Sequence, residues 1–416
     1  MNTRLKTTPL HEWHIQANAN MADFGGFDMP LWYETGVKTE HLAVMNSAGI
    51  FDTSHMACLL VSGKKSLDLL NYCFTRDIAP LAPGRCVYGA FLNDQGHCID
   101  DAIVYRFDLS RFMVCVNAGM GAQVARHLES QKKDLEVMIE DLSGKVAKMD
   151  IQGKNAARIL SKLIQNPDKI FQKMPYFSFK GGFSKETMGT DPVSLLNGAP
   201  ILLSRSGYTG EFGFELFLDP SALVTLWQDI LKAGAELGIT ACGLGARDSL
   251  RTGACLPLSH QDIGPWKFIH HPWDFALPYT PDKKAFTKDF LGAESLLSAQ
   301  EAPYVYPFVG ETLRKVNAGE NTQVLDENHQ NIGRILSCAT DMGISWHNGK
   351  IVSINTPDLP QGLKIKGISC GFVMVKKQLE PGQKLTLKQG KRSIGVTLVT
   401  DIRPDRTARL KLNHFI

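Results

Sequence analysis

Near residue 263 the chain changes its pattern, and that change limits the folds open to it more than any other feature. Up to about residue 260, helix-patterned stretches alternate with short strand-like runs. From about residue 305 onward only short β runs separated by turns remain. The stretch between, GPWKFIHHPWDFALPYTPDKKAF, is rich in proline and aromatic residues and predicts an irregular connector over residues 263 to 286. A single core stops growing well below 416 residues, so two or three domains are expected. The pattern is α+β, followed by a separate all-β terminal domain.

Within the first part, apolar spacing predicts helices over 38–49, stopping at Gly49, and over 66–75 and 123–131. The clearest helix is 221–238. Ser221 is its expected N-cap, Leu223, Leu226, Trp227, Ile230 and Leu231 its apolar side, and Gly238 its stop. VYGAFLN, AIVYRF, FMVCVNA, VAKMDIQG, PILLSR and FGFELFL read as strands. In the terminal part, Glu380-Pro381-Gly382-Gln383 fits a type II turn with glycine third.

Lys plus Arg number 45 and Asp plus Glu 42, so a formal charge of +3 supplies no electrostatic reason to expect nucleic acid. The nine cysteines are scattered, odd in number and without a C-x-x-C pair, which reads as reduced thiols. The opening MNTRLKTTPLHEWHIQANANMADFGG has no apolar core of signal-peptide length. No later stretch approaches the roughly 18 uninterrupted apolar residues of a membrane span. The expectation is a soluble, cytoplasmic protein with no membrane partner.

Three segments carry candidate chemistry. In the first, the turn Asn93-Asp94-Gln95-Gly96 feeds a strand that begins with Asp100 and Asp101. Strand neighbours point to opposite faces, so only one of the two can face a given cavity, and on its own the pair reads as a solvated hairpin edge. The second is Ser204-Arg205-Ser206-Gly207-Tyr208-Thr209-Gly210-Glu211-Phe212-Gly213-Phe214-Glu215. Its glycines allow tight turning or close approach to a ligand. Glu215, set among apolar strand residues, suits a partner with two parallel N–H donors, such as the edge of a pterin. The third, Gly243-Leu244-Gly245-Ala246-Arg247-Asp248, lacks the third glycine of a dinucleotide fingerprint. Arg247 and Arg251 lie four apart, able to share a helix face and hold carboxylates such as a folate's glutamate tail; the plainer alternative is a surface network of Arg247 with Asp248. His260, Asp262, His270 and His271 crowd together without metal-ligand spacing, and neither a G-x-S-x-G elbow nor a Walker A loop is present. Cys98 reads as a buried apolar residue and not as a nucleophile.

In their joint order these segments resemble the T-protein (aminomethyltransferase) family of the glycine cleavage system. So do Phe24-Gly25-Gly26-Phe27-Asp28-Met29-Pro30, the D-x-S-H-M signature at Asp52-Thr53-Ser54-His55-Met56, and Lys288-Asp289-Phe290-Leu291-Gly292. The resemblance covers roughly residues 8 to 400. It implies a multidomain T-protein-like folate-binding fold: an intertwined pair of α+β subdomains over 1–300 and a small β-barrel over 301–416, with a central channel. Carried over residue by residue, it implies a catalytic Asp101 and a folate site at Met56, Leu60, Tyr88, Asn117, Tyr208, Glu215 and Arg247. The implied reaction moves an aminomethyl carbon from the lipoyl arm of a carrier protein to tetrahydrofolate, with release of ammonia and no metal.

The chain departs from the family pattern at Arg251-Thr252-Gly253-Ala254-Cys255-Leu256-Pro257-Leu258-Ser259-His260, in the connector around Pro272-Trp273 and Pro278-Tyr279, and at 341–366, which reads as an insertion. These lie on the donor side. They leave open a related tetrahydrofolate-dependent methyltransferase or demethylase acting on another small one-carbon donor. A non-catalytic folate-binding assembly factor is a third reading, disfavoured by the presence of both Asp101 and Glu215. A fused folate oxidoreductase is disfavoured because no flavin-binding G-x-G-x-x-G segment is found.

Overall fold

The computed structural model describes residues 4–189, 191–299 and 301–416. Two sheets carry the first part. The smaller orders its strands Arg85–Leu92, Cys98–Arg106, Arg111–Val116, Ala57–Ser62 and Met138–Asp141, all antiparallel. The larger runs Phe179–Gly181, Pro200–Ser204, Gly213–Leu218, Ala147–Gln152, Ala48–Asp52 and Ile239–Ala241, with Val193–Ser194 paired onto the 200–204 strand. Only its last pair, 239–241 with 48–52, is parallel. The chain leaves the larger sheet after Asp52, builds the whole smaller sheet, and returns at Ala147. The strands Ala48–Asp52, Ala147–Gln152 and Gly213–Leu218 are buried along their entire length, as central strands covered on both faces must be.

The helices follow the apolar spacing, with two corrections at their ends. The helix Gly36–Asn46 stops before Gly49, which lies inside a strand. A side chain there would stand 2.5 Å from Val44 Cγ2 and 2.7 Å from Cys242 Sγ, so this glycine serves close packing and not helix termination. Ser221 does not cap the long helix. Asp219 accepts from the Ser221 backbone N–H and opens a 3₁₀ turn, Pro220–Ala222, that leads into the helix Leu223–Gly234. Leu223, Leu226, Trp227 and Ile230 are its buried side, and Gly238 ends the following turn with φ 74°.

The terminal strands close into a six-stranded antiparallel barrel: Tyr304–Gly310, Ile368–Val375, Asn331–Asp341, Gly319–Leu325, Lys384–Gln389 and Arg392–Leu398. Residues 341–366 include a hairpin, Ile344–His347 with Lys350–Ser353, whose Ile344 is buried and whose Trp346 Nε1 donates to Gly310 O at 2.8 Å. The irregular connector is not a free linker. Ile263, Phe268, Trp273, Ala276 and Leu277 are buried and form one apolar cluster with Ala90 and Leu92 of the smaller sheet and Val309, Leu336 and Phe372 of the barrel.

A buried ion network ties the barrel and the C-terminal segment to the part of the chain that carries the larger sheet. Asp341, at the end of a barrel strand, accepts from Arg403 NH1 at 2.7 Å and lies 3.1 Å from His41 Nε2 on the helix 36–46. His41 Nδ1 is 2.7 Å from Ser249 Oγ on the helix Leu244–Gly253. Arg403 also reaches Glu211 at 3.3 Å and donates to Thr209 O. A side chain at Gly253 would run into Asp341 Oδ2, so the glycine in this divergent segment makes room for the network. Burial alone raises the Asp341 carboxyl; Arg403 and then His41 overcome it and hold it at about 2. Asp341→Ala, by leaving Arg403 with Glu211 as its one charged partner and His41 without its carboxylate, is expected to cost about 3 kcal/mol in urea unfolding at pH 7. The loss should shrink at acid pH, because a depressed carboxyl contributes above its unfolded value near 4 and ceases to contribute as pH falls through about 2.

Candidate active site

A cavity of about 1910 Å³ opens between the two sheets, the 244–253 helix and the barrel. Seven of the eight residues singled out from sequence line it: Met56, Tyr88, Asp101, Asn117, Tyr208, Glu215 and Arg247. Leu60 stands outside the lining. It is buried in the apolar layer formed by Cys58, Met113 and Cys115.

Asp100 and Asp101 are not a solvated edge. They are 0% and 8% exposed, because the loop carrying Ser259 closes over the start of their strand. The alternation holds: Asp101 lines the cavity and Asp100 does not. A bulge, where Phe91 pairs with Asp100 and Leu92 with Cys98, re-aims the strand here. Asn117 can therefore hold both acids. Its backbone N–H donates to Asp100 Oδ2 at 2.9 Å, and its Nδ2 lies 2.8 Å from Asp100 Oδ1 and 2.6 Å from Asp101 Oδ1. Tyr88 donates its hydroxyl to Asp101 Oδ2 at 2.7 Å, and Ser259 donates to Asp100 Oδ1 at 2.7 Å. Burial, and next the charge of Asp101, push Asp100 up to about 7. Burial raises Asp101 too, against the hydrogen bonds from Tyr88 and Asn117. All the hydrogen-bonding donors are neutral, so no cation in hydrogen-bonding contact offsets the effect of burial on the pair.

Glu215 is managed differently. It pairs across strands with Asp150, and Lys148, two residues along the same face, bridges the two acids: Nζ is 2.5 Å from Glu215 Oε1 and 2.7 Å from Asp150 Oδ1. Arg247 NH1 completes the chain at 2.6 Å from Asp150 Oδ2, and Ser206 donates to Glu215 Oε2 at 2.5 Å. Burial works against the charge on Lys148, but Asp150 and Glu215 raise its ammonium well above the usual lysine range. Asp150, opposed by burial, is held down by Lys148 and Arg247.

The alternation of Lys148 and Asp150 along one strand was the available signal for this network, and sequence reasoning passed over it. It also misplaced the arginines. Arg247 is spent on Asp150, with the Tyr208 ring 4.9 Å from its guanidinium carbon, and is not paired with Asp248. Arg251 binds Asp262 and Asp248. Arg251 is committed to these two acids, while Arg247 gives NH1 to Asp150 and still lines the cavity.

His55, from the D-x-S-H-M signature, faces the cavity against Phe24, and its Nδ1 has no partner among the described residues. Cavity-side glycines are set by contact: a side chain at Gly207 would stand 2.1 Å from Gln152 Oε1.

The model described as the GCVT N-terminal domain matches residues 10–270. The chain belongs to the T-protein family. An aminomethyltransferase of Desulfitobacterium hafniense is 34% identical over 335 residues, which is 80% of this chain and 86% of that one. One from Geobacillus thermodenitrificans is 39% identical over 259 residues, 62% and 67% of the two chains. The crystal structure of the glycine cleavage system aminomethyltransferase T from Bartonella henselae superposes with a TM-score of 0.75 at 26% identity, covering 97% of this chain and 99% of its own. T-protein relatives are one-carbon transferases, and this chain is an enzyme of that class. Among the described residues no helix is long and apolar enough to cross a membrane.

Burial pushes His55 down to about 4, so its imidazole is neutral in the folded chain where an unfolded histidine is half charged. The unfolded chain therefore binds the extra proton, and stability falls as pH drops from about 6.5 to about 4, by up to about 3 kcal/mol from this group. Comparing urea unfolding of the native chain and His55→Asn at pH 7 and pH 4.5 isolates it: the variant should lose less on acidification. Equal losses would mean that the imidazole is not held neutral.

Proposed function

We propose that this enzyme transfers an aminomethyl carbon from the lipoyl arm of a carrier protein to tetrahydrofolate, releasing ammonia, and that Asp101 is its catalytic carboxylate. The observation that carries this reading is Asp101 itself, fixed by Tyr88 and Asn117 on the wall of a cavity whose other polar pole is Glu215. Small-ligand pockets run to about 1,000 Å³. The 1910 Å³ here has room for two reactants side by side.

The donor set fits a folate. Glu215 is an ionised acceptor held rigidly by Lys148 and Ser206, suited to paired ring N–H donors. Tyr208 and Met56 offer apolar faces, and the unpartnered His55 Nδ1 supplies a further polar contact. The folate supplies a nucleophilic ring nitrogen that accepts the one-carbon unit. The rest falls to the protein. Tyr88 and Asn117 orient Asp101 so that its carboxylate faces the reacting atoms, where it stabilises developing positive charge without rearranging. The raised proton affinity of the Asp100–Asp101 pair lets it hold a proton at a carboxyl oxygen near neutral pH and release it to a departing amine. A cytoplasmic setting accompanies the lipoyl carrier in this proposal.

Asp101→Asn should lower turnover about 100-fold or more, with methylene-tetrahydrofolate and ammonia falling together, while tetrahydrofolate binding by calorimetry stays within a few-fold. Glu215→Gln should weaken folate binding about tenfold or more. Native protein that binds tetrahydrofolate yet turns over no aminomethyl-lipoyl carrier would transfer the assignment to another small one-carbon donor.

A further inference from the structure

We propose that His260 is a positioning residue that serves as the proton port of the Asp100–Asp101 pair. The inference rests on the reading of Asp101 as the catalytic carboxylate, and it concerns a segment that departs from the family pattern.

Asp100 is fully buried and does not reach the cavity, yet its protonation is what the pair has to exchange. Two cavity-lining side chains approach its Oδ1 from the open side: Ser259, whose Oγ donates at 2.7 Å, and His260, whose Nε2 lies 3.7 Å away. The His260 side chain is 48% exposed, so a single residue spans the buried carboxyl and the cavity solvent. The loop that presents it is pinned. Asp262 binds Arg251 and accepts from Ser337 Oγ at 2.6 Å and from the Leu258 N–H at 3.0 Å, and Gln261 Nε2 donates to Leu336 O and Ser337 Oγ, both at 2.9 Å. His260 itself holds φ 62°, a left-handed conformation that a non-glycine residue adopts at a cost.

The remaining groups around the pair are Tyr88 on the neighbouring strand, Cys98 on the pair's own strand, Asn117, and Tyr208 across the cavity. None is cationic at neutral pH, whereas histidine gains charge between about pH 5 and 8. The imidazolium N–H gives its proton to Asp100 Oδ1, directly after a small ring rotation or through one water. The N–H bond breaks as the carboxyl O–H forms, and the imidazole nitrogen then takes a replacement proton from hydronium or a buffer acid in the cavity solvent, leaving water or the buffer base behind. While charged, His260 also favours the ionised carboxylate that anchors Asn117, and Asn117 in turn aims Asp101.

The test uses His260→Asn, since asparagine tolerates the left-handed backbone. Infrared titration of the protein without folate or donor, with the Asp100→Asn spectrum subtracted to isolate this carboxyl, should show its midpoint moving up by about half a unit or more in the variant. The acidic limb of the kcat/KM profile should move with it. Turnover at low buffer should fall several-fold and recover with added imidazole. In an Asp100→Asn background the His260 substitution should change the profile no further. An unmoved midpoint, or an equal effect in both backgrounds, overturns the proposal. Absence of aminomethyl transfer by the native enzyme would sink the proposed reaction alone, because the infrared midpoint does not depend on it.

Discussion

The buried Asp341 carboxylate is the joint on which the rest of the architecture depends. It lies at the end of a barrel strand and is bound by Arg403 from the C-terminal segment and by His41 from a helix packed on the larger sheet. An ionised carboxylate at zero exposure is tolerable only with such partners, so the barrel and the larger-sheet part must meet in one arrangement. The cavity is what that arrangement leaves between them. The 244–253 helix belongs to both: Gly253 lies against Asp341 and Arg247, two turns earlier, reaches the Lys148–Asp150 chain. The network and the site are therefore mechanically continuous.

Charge is handled in two opposite ways along the cavity wall. Glu215 and Asp150 are matched by Lys148 and Arg247, two anions against two cations, which holds Asp150 ionised and makes Glu215 a fixed acceptor. Asp100 and Asp101 have uncharged hydrogen-bond donors, and burial leaves both with raised proton affinity. One pole thus suits recognition and the other suits proton handling.

The divergent segment around Ser259 and His260 and the connector after it close the active site from the barrel side. Trp273 is buried and donates Nε1 to Cys255 O at 2.9 Å, while Tyr208 donates its hydroxyl to Pro257 O. Substitution in this stretch changes what the Asp100–Asp101 pair touches without disturbing the Glu215 pole.

Motif resemblance supplied the family, the barrel and seven of the cavity residues; local patterning by itself determined the helices at 66–73, 121–132 and 223–234, the strands, and the all-β character of the terminal part. These depend on periodicity and short-range backbone preference, which neighbours in the chain carry. Tertiary structure alone decided the partners. Asp100 became buried because a loop 159 residues away covers it, and Arg247 found its partner in Asp150, 97 residues away. Leu60 went behind the wall because its strand face packs on Met113 and Cys115. A charge takes the nearest opposite charge in space, and a sequence does not state which that is until the sheets have packed.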